Sequence, residues 1–160
     1  MKTLLLFIAI AASVIANAQV RTVSLQASGL TCSMCSNAIN KALKKLDFVL
    51  TVDADIKTYT FEISFKQNSI VDFDLIKKKV ESAGFTVCAF YANLHFNNVQ
   101  VNAGEPIVIQ DKIFLFVNTK NQLLSGDKKV KIMDKGFVSA KEYKRNNYMN
   151  PSPQTYHVSL

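Results

Sequence analysis

The chain has 160 residues, nearly half of them hydrophobic (49%), and a formal net charge of +7. That composition excludes wholesale disorder and supports the packed core of one or two small domains. The positive balance favours acidic partners or membrane surfaces, but no arginine-rich run or aromatic-basic motif appears, so nucleic acid is not an expected partner.

The first residues, 1–18, read as a targeting segment. Lys2 supplies the positive start, Leu4 to Ala12 a short apolar run, and Ala16-Asn17-Ala18 a small-x-small cleavage site, which puts the mature start at Gln19. The apolar run falls short of the ~20 residues that span a bilayer, so a cleaved leader is expected rather than an anchor. No later run is long enough to cross either, and no stable membrane insertion is expected after cleavage. The predicted compartment is periplasmic or otherwise extracytoplasmic, where thiols can oxidise. Three cysteines do not make a disulfide scaffold there.

Residues 19–91 predict one alternating unit. Val23, Leu25 and Ala27 alternate with Thr22, Ser24 and Gln26, the pattern of a half-buried strand. A loop from Gly29 to Met34 leads to a helix from Cys35 to Leu46, with Cys35, Ile39, Leu43 and Leu46 on one face and Lys41, Lys44 and Lys45 largely toward water. Val49 to Ala54 and Tyr59 to Phe65 read as strands around a turn at Asp55-Ile56-Lys57. Asp72 can cap a second helix that buries Phe73, Ile76, Val80 and Ala83 and stops at Gly84. Thr86 to Tyr91 closes the unit as a strand. The order strand, helix, strand, strand, helix, strand is the ferredoxin-like βαββαβ pattern.

Residues 92–160 predict a second, small and mostly-β domain, with a barrel as one possible form. Strands are expected near Leu94 to Val101, Pro106 to Ile109, Ile113 to Val117, Val130 to Met133 and Tyr156 to Leu160. Ser139 with Glu142 matches a capping box for a short helix. The fold class expected overall is α+β. No catalytic constellation is visible in either part.

The informative motif is Gly29-Leu30-Thr31-Cys32-Ser33-Met34-Cys35. Two cysteines three positions apart at a loop-to-helix junction can direct both sulfurs at one ion. Thiolates are soft ligands and select copper(I), zinc or mercury-like metals over magnesium or calcium. The helix start favours thiolate over thiol. Two sulfurs do not complete the tetrahedral shell of zinc, whereas copper(I) accepts two or three soft ligands, so copper(I) is the expected ion. Cys32 and Cys35 are the expected metal ligands.

On the Gly-x-Thr-Cys-x-x-Cys loop, Val52-Asp53 at the end of the second strand and Ala83-Gly84-Phe85 after the second helix, residues 20–91 resemble the heavy-metal-associated domain of copper chaperones and copper-transporting ATPases. The resemblance implies Cys32 and Cys35 as ligands, a ferredoxin-like fold, and metal hand-over by thiolate exchange with a partner such as a metal-transporting ATPase or efflux component. It departs at Leu30, where the family usually has a methionine packed beneath the loop. It departs again at Asp47-Phe48-Val49, where a glycine-valine pair is common. Phe85 falls where the family's loop approaches the metal loop; a plain core aromatic is the alternative.

The remaining candidates are weaker. Cys88, between Val87 and Ala89, reads as an inert thiol rather than a ligand. Met34 could shield the ion or merely stand exposed. His95 and His157 each read as the polar side of a strand, and a second metal site from them, with Met133 or Met149, needs the fold to bring them together. Lys41, Lys44 and Lys45 could steer an acidic partner. The chain is expected to be a non-enzymatic metal chaperone or scavenger. A thiol-disulfide oxidoreductase using the same pair is the alternative from another class. Against it stand the absence of tryptophan, of a thioredoxin-like strand order and of any proline within residues 20–91. A mercury-binding periplasmic protein is a close variant, and residues 92–160 are a possible carrier of partner recognition.

Overall fold

The computed structural model describes residues 18–30, 33–146, 148 and 152–160. Of the leader expected over residues 1–18, residues 1–17 lie outside them, as do Thr31 and Cys32. Six elements follow in the predicted order: β1 (Gln19–Ser28), α1 (Ser33–Leu43), β2 (Val49–Asp55), β3 (Thr60–Phe65), α2 (Phe73–Ser82) and β4 (Thr86–Val101). Their strands lie side by side as β2-β3-β1-β4, every pair antiparallel. This is the ferredoxin-like arrangement.

Period-two alternation sets the register. Val23 faces Ile63 on one side and Ala92 on the other, and Leu25 faces Phe61 and Phe90. All six are buried, so a one-residue slip would turn a full apolar row toward water. Ile39 and Leu43 of α1 and Phe73, Ile76 and Val80 of α2 join the same core. Asn40 Nδ2 donates to Val52 O at 3.0 Å and fastens α1 to β2. Asp72 caps α2 by accepting from Leu75 N at 2.8 Å, a contact of the kind that contributes about 1 kcal/mol. Gly84, at φ +89, releases the chain into β4.

The sequence divides at residue 91, but the sheet does not. β4 is 16 residues long; it pairs with β1 up to His95 and with β7 (Gln122–Ile132) from Tyr91 onward. β8 (Thr155–Ser159), β6 (Lys112–Phe116) and β5 (Pro106–Ile109) then complete one eight-stranded sheet, β2-β3-β1-β4-β7-β8-β6-β5. Its order is open, with β2 and β5 at the edges, so the second half extends the first and forms no barrel of its own. The pairing β6–β8 is parallel. At α3 (Ala140–Asn146) the Ser139 half of the expected capping box is made, Glu142 N donating to Ser139 Oγ at 3.2 Å, while Glu142 Oε1 accepts from Lys131 Nζ.

Aromatic rings seal the two halves together. Phe73 of α2 lies 5.3 Å from Phe90, 5.2 Å from Tyr156 and 6.3 Å from Phe114, between ring centroids. Phe137 stands edge-on to both Phe90 and Tyr156. Each such pair adds roughly 0.5–1.5 kcal/mol beyond the area it buries. Tyr156 Oη also donates to Asp74 Oδ2 at 3.0 Å, tying β8 to the first turn of α2.

Candidate metal site

β1 delivers the chain to the site, held by the buried side chains of Val23, Leu25 and Ala27. Gly29 then adopts φ +85, where a side chain would strain the backbone. Leu30 turns back into the core at 7% exposed. α1 opens at Ser33. Of the two predicted ligands, Cys32 lies outside the described residues. Cys35 sits in the first turn of α1, half-buried and packed against the core. Met34, beside it, is 80% exposed.

The electrostatics of this junction suit an anion. No acidic side chain occupies the first turn of α1, so its positive end is not neutralised there. Next to Cys35, the buried Ser36 Oγ has no hydrogen-bond partner among the described residues. Phe85 arrives from the loop after α2: its Cδ1 lies 3.9 Å from where a Cβ on Gly29 would stand. The ring therefore borders the loop, as the resemblance implies, while packing against the core.

The model of the heavy-metal-associated domain matches residues 24–86. The mercuric transport protein periplasmic component of Pseudomonas fluorescens is 35% identical over 86 residues, which cover 53% of this chain and 93% of that protein. The chain belongs to the heavy-metal-associated domain family. Among solved structures it is similar to the yeast copper transporter domain Ccc2a (35% identity, 41% of this chain and 88% of that one, TM-score 0.37). A copper binding domain from a P-type ATPase is similar as well (28% identity, 44% and 96%, TM-score 0.38).

The other predicted residues lie outside this heavy-metal-associated loop. Cys88 sits at a bulge between β1 and β4, half-buried, with Sγ 3.3 Å from Gln26 O. Burial pushes its thiol above the usual range, against a smaller opposing effect of Lys131. Lys41, Lys44 and Lys45 are exposed. His95 contacts Asp127 Oδ1 at 2.6 Å, and that hydrogen bond holds the Asp127 carboxyl low, with Arg21 adding to it. His157 is engaged by Asp134 Oδ1 at 2.7 Å, on the far stretch of β7 and β8. His95 pairs with Asp127, whereas His157 lies opposite Met133, so six residues of β7, roughly 20 Å, keep the two histidines apart. Met149 lies outside the described residues. Among those described, no three His, Cys, Asp or Glu side chains gather where an ion could be held.

Two arrangements carry no local sequence signal. Lys112 is wholly buried, its Nζ 2.5 Å from Asp111 Oδ1 and 5.4 Å from the Phe73 ring. Asp134 is likewise buried and binds both the backbone and the ring of His157. Burial raises its carboxyl and the His157 hydrogen bonds oppose that rise. A cleft of about 480 Å³, lined by Asp72, Asp74, Lys78, Asp134, Lys135 and Tyr156, opens beside the N-terminal turn of α2. The length of that helix, roughly 15 Å, separates it from Phe85.

Proposed function

We propose that this protein is an exported copper(I) chaperone or scavenger that holds its ion between Cys32 and Cys35 and passes it on by thiolate exchange. The observation that carries the reading is the placement of Cys35 in the first turn of α1, beside a glycine loop bordered by Phe85. Membership of the heavy-metal-associated family and the periplasmic relative support it.

In the exchange, an incoming soft group from a partner enters the coordination shell and one of the two cysteine sulfurs leaves. Copper(I) tolerates two or three such ligands, so no step requires a bare ion. The helix start stabilises whichever sulfur is anionic, and Leu30 beneath the loop holds the turn. No acid, base or nucleophile is needed, and the function proposed is transfer without catalysis. A metal-transporting ATPase or efflux component is the proposed acceptor.

Anaerobic titration of residues 19–160 with copper(I), alongside a Cys32→Ser, Cys35→Ser variant, tests this. The expected result is one tight equivalent held by the wild type and missing from the variant, whatever else either protein binds. Equal uptake by both proteins rejects the pair as the site. Mercury(II) is the second reading, favoured by the relative from Pseudomonas fluorescens. Competition between the two ions for the same pair distinguishes them, and zinc serves as the third competitor.

A further inference from the structure

We propose that Met133 and His157 form a second, thiolate-free site for a soft monovalent ion, copper(I) by class. The choice of ion rests on the function proposed above, but the site uses neither cysteine of the loop.

The pairing of β7 with β8 sets the two residues opposite each other. Lys131 faces Ser159 and Ile132 faces Val158. Met133 N donates to His157 O at 2.8 Å, which carries the register one residue further. Residues opposite each other in an antiparallel pair send their side chains to the same face. Ile132 and Val158 take the core face, so Met133 and His157 emerge on the other. The Met133 thioether is on that face, since Ser159 Oγ lies 3.8 Å from its Sδ.

The imidazole is held as a ligand would be. His157 Nδ1 lies 2.7 Å from Asp134 Oδ1, and Asp134 Oδ2 accepts from His157 N at 2.8 Å. With Nδ1 turned to Asp134, Nε2 is the ring nitrogen left to face an ion, the arrangement that orients metal-binding histidines. Tyr148 stacks on one face of the ring, centroids 5.0 Å apart and planes 12° apart. Tyr143 Oη in turn donates to Tyr148 O at 3.0 Å, so the covering ring is tied to α3. The His157 side chain is 16% exposed and Met133 7% exposed, which limits competition from water.

Donor chemistry selects the ion. A thioether and a neutral imidazole suit copper(I), whereas magnesium and calcium take oxygen. Both Asp134 oxygens are already engaged by His157.

The test uses protein made from the full chain carrying Cys32→Ser and Cys35→Ser, titrated anaerobically with copper(I) against a chromophoric competitor. One residual equivalent is expected, weakened at least tenfold by Met133→Leu, which keeps the side-chain volume, and likewise by His157→Asn. The methyl signal of Met133, one of four methionines, should shift in NMR as the ion is added. No residual binding, binding indifferent to Met133→Leu, or an unmoved Met133 methyl overturns the site. Wild-type protein binding two equivalents against one in the serine variant shows both sites. Equal uptake by wild type and serine variant counts against the cysteine pair alone.

Discussion

Phe137→Ala removes a ring that only the continuous sheet puts in contact with the metal-binding half. Phe137 is 2% exposed. It stands 5.1 Å from Phe90 and 5.7 Å from Tyr156, both edge-on, with Lys77 Nζ 4.4 Å above its own ring. Truncating a buried phenylalanine costs about 3–5 kcal/mol, through lost transfer energy and the cavity left behind. Domains of this kind hold roughly 5–15 kcal/mol in total, so the variant should lose about a fifth of its stability or more. Urea unfolding followed by circular dichroism should show one transition at a lower midpoint. Amide exchange should accelerate at Leu25 and Ile63 together with Phe114 and Val158, since all four belong to one core. Unchanged protection in β1 and β3, with loss confined to β6 and β8, would refute the shared core.

Ending the chain after Tyr91 cuts β4 within its pairing and uncovers Phe73 and Phe90, so residues 19–91 should be insoluble or unfolded in a solubility and dichroism assay; a folded fragment contradicts the aromatic seal. Ser36→Ala removes a buried hydroxyl without a partner among the described residues and should raise stability by about 1 kcal/mol, read as a higher denaturation midpoint. In the Cys32→Ser, Cys35→Ser background, Cys88 should alkylate more slowly in native than in unfolded protein near pH 8.5, because burial favours its neutral thiol. Its folded pKa is raised, so its contribution to stability is present below the unfolded thiol pKa and declines as pH rises through the folded one. Equal alkylation rates would show that Gln26 O and burial do not hold it.

The first half of the fold was legible because its signals are local. Alternation wrote β1 and β3, the Asp72 cap and Gly84 bounded α2, and the cysteine spacing marked the loop. The placement of Leu30 and Phe85 followed from the resemblance rather than from any pattern. The continuation of β4 was missed: a boundary was expected at residue 91, although Phe90, Ala92, Leu94 and Phe96 alternate across it with Tyr91, Asn93 and His95. What stayed hidden is pairing at a distance. Nothing near Asp134 announces His157, and nothing near Lys112 says that Asp111 will accompany it into an aromatic core. Such contacts depend on which strands become neighbours, and the parallel β6–β8 pair is a choice that local periodicity cannot encode.

The wiring of β1 bears on when an ion can be loaded. Its first residue, Gln19, sits opposite His95, and its end, Ser28, opposite Thr86. Pairings this far apart along the chain are made slowly, on the order of milliseconds to seconds. The cysteine loop therefore emerges from the ribosome well before the partner that immobilises its base. The backbone frame around the start of α1 therefore belongs to the finished molecule and not to the nascent chain.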